Sequence, residues 1–150
     1  MRILTALLTV VALAALLALR AAPATVIELT QVACQFLESE QGVDHGYTTS
    51  SSKDCEAINA RTGEVRLAKA ETLELKPGKY IFRVSNRDVP YDLGFWLRGA
   101  TLLSRATLPS VSGGGLAMGQ TKDYEVELKP GEYVYSCPLN PTPDYPLVVK

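Results

Sequence analysis

The chain has 150 residues and a formal net charge of −1, from 15 basic and 16 acidic side chains. No stretch forms a basic stripe, so nucleic acid is excluded as a partner. A single histidine without a predictable acid partner does not support a serine or cysteine triad. We therefore predict that the protein is not an enzyme, with a catalytic redox role as the open alternative.

The first 24 residues have the pattern of an export signal. Arg2 precedes the apolar run Ile3 to Leu19, and the Ala-Pro-Ala sequence at 22–24 fits a small-x-small cleavage site. Cleavage there leaves a single domain, residues 25–150. The alternative is an uncleaved membrane anchor, because the apolar run is near the lower limit for spanning a bilayer. We predict a periplasmic or secreted protein, or one held to the membrane by its N-terminal helix.

Strand-like segments dominate the rest of the chain. Val26 to Phe36 is predicted as the first strand, and Val65 to Leu67 and Thr72 to Leu75 as strand pieces. The polar segment between them, residues 37–60, is predicted to contain only a helical turn or two, at Lys53 to Asn59. No helix longer than a few turns is expected after the leader.

Three cysteines in an exported chain predict one disulfide and one odd thiol, or a metal site that uses some of them. Cys34 and Cys55 lie at the two roots of the polar segment 37–60. We predict that these two cysteines are paired, which leaves Cys137 reduced or bound to metal.

An internal repeat follows the polar segment. The sequence LELKPGKYIFRVSN, from Leu73 to Asn86, is similar to VELKPGEYVYSCPLN, from Val126 to Asn140. Each copy is an alternating strand, a Lys-Pro-Gly turn and a second alternating strand, and proline followed by glycine is typical of a type II turn. Two such copies predict equivalent turns at one end of two sheets, as in a Greek-key sandwich of about seven or eight strands.

Residues 71–149 resemble a cupredoxin domain of the blue-copper superfamily, with the strand from Val26 as its first strand. The sequence LKPGKYIFRVSNRDVPYDLGF resembles the stretch that leads to the first histidine ligand, and Tyr91 stands at that position. The sequence LKPGEYVYSCPLNP resembles the stretch that supplies the cysteine ligand, which Cys137 matches. The resemblance implies an all-β Greek-key β-sandwich of the cupredoxin type, with an N-terminal signal or anchor helix and a degenerate copper-ligand set.

The ligand set is incomplete. A blue-copper site uses a thiolate, two imidazoles and a weak axial thioether, and His45 is the single histidine of the chain, so an ordinary site is excluded by counting. By analogy, the insertion at 37–60 covers the same pole as the cysteine loop. We therefore predict a non-blue site for a copper ion at Cys137, with His45 and Glu56 as candidate further ligands. Zinc, or no metal, is the alternative.

Structural roles for these residues remain open. The sequence is equally consistent with His45 as a solvated loop residue, and with Cys137 as a core thiol behind Tyr91. Three acidic residues of the insertion are expected to form a hydrated face: Glu38, Glu40 and Asp44.

Two functions follow from these patterns. The first is an exported periplasmic cupredoxin-like protein that binds or handles a metal, with electron transfer as one use and a periplasmic or membrane redox or metal-handling protein as its partner. The alternative is a metal-free binding module of the same fold, or an accessory subunit of a membrane or redox complex. Contact with a membrane is expected only if the leader is uncleaved.

Overall fold

A computed structural model describes residues 22–150, so the leader predicted for residues 1–24 lies almost wholly outside the described residues. Within 22–150, no helix is both long and apolar enough to cross a membrane. The strands are β1 (Thr25–Val32), β2 (Gln35–Phe36), β3 (Leu73–Leu75), β4 (Gly78–Asn86), β5 (Leu93–Gly99), β6 (Val111–Leu116), β7 (Thr121–Leu128), β8 (Gly131–Ser136) and β9 (Tyr145–Val149). The helices are α1 (Ser52–Lys69) and α2 (Leu102–Thr107), with a 3-10 turn at Glu38–Glu40.

The strands form two mixed sheets, with the orders β2-β1-β4-β7 and β3-β9-β8-β5-β6. β1 is parallel to β4, with Thr25 opposite Tyr80 and Gln31 opposite Asn86. β3 is parallel to β9, and the remaining pairs are antiparallel. The predicted mostly-β architecture of two sheets is therefore confirmed.

The two Lys-Pro-Gly turns connect the sheets at one end, which is called the turn end below. Residues 76–78 lead from β3 to β4, and residues 129–131 lead from β7 to β8, so each turn crosses from one sheet to the other. Gly131 has a φ of +155°, and a Cβ there would lie 2.7 Å from a Leu108 methyl group. A glycine is needed at this position because the turn packs directly against Leu108.

Aromatic side chains from both sheets fill the core. Phe82 and Phe95 stack across the sandwich with their ring centroids 5.4 Å apart. Phe36 meets Tyr135 and Tyr145 edge to face at 5.7 and 5.9 Å. On β4, buried residues alternate with less buried ones, as expected for a strand with one face against a core.

Helix α1 corrects the prediction for the middle of the chain. It has 18 residues where only a turn or two was expected, and it includes Val65 to Leu67, which was wrongly predicted as a strand. The Asp54 carboxylate accepts a hydrogen bond from the Ser51 backbone N–H at 3.0 Å, which helps to cap its N-terminus. The helix buries only Cys55, Gly63 and Arg66, so its sequence lacks the apolar stripe by which such a helix is normally found.

The predicted disulfide is confirmed. Cys34 and Cys55 are bonded, with their Cα atoms 5.0 Å apart, and the bond joins the end of β1 to the first turn of α1. Cys137 is the free cysteine of the described chain and is buried. An oxidised pair agrees with an oxidising, exported compartment.

We predict that the double variant Cys34→Ser/Cys55→Ser loses about 3 kcal/mol of unfolding free energy, because the bond closes a loop with a sequence separation of 21. Urea denaturation measures this loss. Reductant should destabilise the wild-type protein by a similar amount and leave the double variant unchanged. A loss below about 1 kcal/mol would show that α1 is held by its other contacts.

Candidate functional site

Cys137 lies in the core directly after β8, with 1% of its surface exposed. Its Sγ accepts hydrogen bonds from the backbone N–H groups of Gly94, at 3.3 Å, and Asn140, at 3.2 Å. Burial raises the pKa of the thiol above its ordinary value of 9.0, and these hydrogen bonds oppose that effect only in part. Cys137 is therefore a neutral thiol at pH 7.

Asn140 fastens the loop after Cys137 to the end of β1. Its side chain is fully buried. The Oδ1 atom accepts a hydrogen bond from the Cys34 N–H at 2.9 Å, and the Nδ2 atom donates to the Val32 carbonyl at 2.8 Å. This side chain satisfies two backbone groups that would otherwise be buried without partners. The contact also brings the end of β1 close to Cys137. The end of the sandwich where Cys137 and Asn140 lie is called the cysteine pole below.

Tyr91, at the position matched to a first histidine ligand, packs against the core. Its hydroxyl donates to Thr49 Oγ1 at 3.2 Å and lies 3.9 Å from the Cys55 sulfur. Burial raises the pKa of this phenol, and Cys137 is close enough to add to the shift. The phenol thus lies beside the disulfide, and Tyr91 packs against the core cluster that includes Cys137.

The other predicted ligands have different surroundings. His45 Nε2 lies 2.6 Å from a carboxylate oxygen of Glu40, and its ring stacks on Tyr47 with centroids 5.5 Å apart. Glu56 is exposed on α1. Within residues 22–150, no three His, Cys, Asp or Glu side chains are grouped as metal ligands. Because a copper or zinc site needs several such side chains around the thiol, the residues present around Cys137 do not supply its ligand set.

The structure contains a buried ion pair next to His45 that was not predicted from the sequence. Glu40 and Arg66 are 7% and 6% exposed. Arg66 donates from Nη2 to Oε1 at 2.7 Å and from Nε to Oε2 at 3.1 Å, which is a two-pronged contact. Tyr145 donates its hydroxyl to the same carboxylate. The expectation of a hydrated acidic face is therefore wrong for Glu40, although Glu38 and Asp44 are exposed.

These contacts determine the protonation states of Glu40, Arg66 and Tyr145. Burial alone would raise the pKa of Glu40, but the hydrogen bonds from Arg66, Tyr145 and His45 together with the Arg66 charge hold it below its ordinary value of 4.5. Burial and the neighbouring carboxylate both raise the pKa of Tyr145. At neutral pH, Glu40 and Arg66 are therefore charged and Tyr145 keeps its proton.

Arg66 also attaches α1 to the sandwich. Its Nη2 donates to the Cys34 carbonyl at 2.9 Å and its Nη1 to Asn59 Oδ1 at 2.6 Å. The guanidinium carbon lies 5.3 Å from the centre of the Tyr47 ring. Arg66 and the disulfide thus add to the apolar contacts of Ile58 and Leu67 in attaching the helix, which lacks a continuous apolar face.

A pocket of about 510 Å³ opens between the loop at 40–47 and α1. Its walls include Val43, Tyr47 and Val65, and the Glu40–Arg66 pair also lines it. Arg61 and Lys69 line it as well and are exposed, and neither forms an ion pair within residues 22–150. The pocket therefore combines apolar walls with uncompensated positive charge.

Comparisons with known proteins give no family for this chain. No protein-family model matches it. No curated protein matches it either. The arguments about its function therefore rest on the two sheets, the contacts of Cys137 and the pocket beside α1.

We predict that Glu40→Gln and Arg66→Met each cost about 3–5 kcal/mol of unfolding free energy, because each leaves a buried charge without its partner. The double variant should lose much less than the sum of the two. Urea denaturation of the four proteins measures this coupling.

The control is the exposed pair Arg83–Asp123, which joins β4 to β7 at 2.8 Å. Arg83→Met should cost at most about 1 kcal/mol, because water screens this pair. Equal losses for Arg66→Met and Arg83→Met would contradict the anchoring role of the buried pair.

Proposed function

We propose that this protein is an exported, cupredoxin-type sandwich that works as a binding module, and that the pocket beside α1 is its ligand site. The observation that carries the proposal is a pocket of about 510 Å³ that is lined in part by the buried, hydrogen-bonded pair Glu40–Arg66. Small-molecule sites usually have a volume of this order and a few placed polar groups. Of the two functions predicted from the sequence, this is the metal-free alternative.

Two features support the cupredoxin-type assignment. The Lys-Pro-Gly turns join the sheets at one end, while Tyr91 and Cys137, the positions matched to copper ligands, lie near the other end. Strand β5 runs between these two ends. Near its start the Gly94 N–H donates to the Cys137 sulfur, and at its C-terminal end Gly99 pairs with Tyr133, just after the second Lys-Pro-Gly turn. The Greek-key arrangement of the cupredoxin type is thus part of the proposal, supported by these positions and by the sequence resemblance.

The pocket favours an amphipathic organic anion. The apolar surface of Val43, Tyr47 and Val65 can cover a hydrocarbon body. Arg61 and Lys69 supply positive charge for a carboxylate or sulfonate group. The Glu40–Arg66 pair that lines the pocket adds no net charge, because the Glu40 carboxylate is compensated by the Arg66 guanidinium.

The ion pair also keeps the pocket open before a ligand arrives. Glu40 belongs to the 3-10 turn on one side, and Arg66 belongs to α1 on the other. A link between the two walls fixes their separation, so a ligand need not order them on binding. His45 shares the carboxylate and keeps its ring against Tyr47 on the same wall.

We predict that octanoate binds to the pocket and that octanamide, which has the same chain length without the charge, binds at least about tenfold more weakly. Val65→Asp and Arg61→Glu should each reduce octanoate affinity by a similar factor. Isothermal titration calorimetry measures both ligands.

Lys53→Glu is the matched control, because it makes the same charge change on an exposed residue of α1 outside the pocket. It should leave octanoate affinity unchanged. An equal loss for Lys53→Glu and Arg61→Glu, or no binding of octanoate at all, would overturn the proposed site.

The metal hypothesis is kept as a second, separately testable prediction. The retained Cys137 at the matched ligand position favours it, and copper, or zinc, would then be held with help from His45 and Glu56. Periplasmic or membrane redox proteins would be its partners. The described contacts favour the binding module because no three His, Cys, Asp or Glu side chains are grouped as metal ligands within residues 22–150.

We expect no stoichiometric uptake of Cu(II) or Zn(II) at micromolar concentrations (~10⁻⁶ M,), and the same result for Cys137→Ser. Elemental analysis after dialysis, with an absorption spectrum in Cu(II), measures this. Uptake of one ion that Cys137→Ser abolishes and His45→Ala weakens would instead establish the metal hypothesis.

A further inference from the structure

Two adjacent leucines at the turn end are almost fully exposed. Leu102 and Leu103, in α2, are 84% and 77% exposed. No residue of this six-residue helix is buried, whereas Leu108, just after it, packs against the core. The leucine pair is therefore not needed to complete the core of the sandwich, and its exposure has a cost in water.

The position of α2 is fixed by the turn beside it. The Ala100 N–H donates to the Glu132 carbonyl at 3.0 Å, and Leu108 packs against Gly131 of the second Lys-Pro-Gly turn. Arg105 donates to the Gly99 carbonyl at 3.3 Å, which ties the helix to the edge of β5. The leucines thus project from the turn end as a fixed part of the surface.

Basic side chains are also concentrated at the turn end. The exposed basic residues of the turn end are Lys76, Lys79, Arg105, Lys129 and Lys150. They outnumber the exposed acidic residues there, which are Glu74, Glu127 and Glu132. At the cysteine pole, by contrast, Asp44 and Asp88 form ion pairs with Arg87, and Asp54 and Asp92 also lie near the surface. An excess of exposed basic side chains is therefore a feature of the turn end, although the net charge of the chain is only −1.

The N-terminal segment joins the fold at the same end. β1 begins at Thr25, which pairs with Tyr80, two residues beyond Gly78 in the first Lys-Pro-Gly turn. The sequence before it contains the apolar run from Ile3 to Leu19, followed by Arg20. The described chain therefore begins at the end of the sandwich that carries the exposed leucines and the basic side chains.

We propose that the turn end lies on an anionic lipid bilayer, with Leu102 and Leu103 inserted among the lipid head groups. A pair of leucines alone gives weak attachment, but apolar insertion combined with lysines near anionic lipid, and with an apolar segment in the same chain, gives stable attachment. The cysteine pole then points away from the negatively charged surface. This inference does not depend on the ligand of the pocket beside α1.

The test places a fluorophore at the leucine pair. Leu103→Cys in the full chain is labelled with an environment-sensitive dye, which is selective because Cys137 is buried and the other two cysteines are bonded to each other. The labelled chain is reconstituted in vesicles of phosphatidylglycerol and phosphatidylcholine. Leu139→Cys, on an exposed leucine beyond Cys137, carries the same dye as the matched control.

At position 103 we expect a blue-shifted emission and quenching by lipids that carry a quencher on the acyl chain, with neither effect at position 139. Lys76→Glu/Lys129→Glu should reduce the quenching, and Lys53→Glu should not. Equal or absent quenching at the two positions would overturn the proposal. A blue shift at 103 that grows with protein concentration in the absence of vesicles would overturn it in favour of a second copy of the chain.

Discussion

The salt bridge between Glu40 and Arg66 is the contact on which the non-sheet part of the structure depends. Two charges removed from water are costly to bury, and they are tolerated here because the carboxylate accepts from Arg66, Tyr145 and His45. Helix α1 fully buries only Cys55, Gly63 and Arg66, while its Ile58 and Leu67 pack against apolar clusters as partly buried residues. The ion pair and the Cys34–Cys55 bond add to these contacts in fixing where the helix lies.

The same attachment gives the sandwich a surface that its strands do not provide. Because α1 is held away from the loop at 40–47 by polar contacts, a pocket with apolar walls remains between them. At the cysteine pole the chain has the opposite character: Tyr91, Asn140 and the disulfide fill the space and satisfy its polar groups. The pocket of about 510 Å³ lies instead beside helix α1.

The strand topology separates these features from the turn end. Both Lys-Pro-Gly turns cross between the sheets there, so their lysines lie close together although they are far apart in sequence. If the turn end lies on a bilayer as proposed, this distribution of charge would turn that end toward anionic lipid.

The sequence by itself determined the mostly-β class, the two equivalent turns and the disulfide. Alternating strands, Pro-Gly turns and the placement of cysteines in a chain predicted to be exported are local signals, and they do not depend on distant partners. The helix α1 could not be predicted in full because it lacks an apolar periodicity. The pairing of Glu40 with Arg66 and Tyr145 joins residues 26 and 105 positions apart. Only the tertiary structure decides such a contact, because the burial that makes a polar side chain need a partner exists only once the chain has folded.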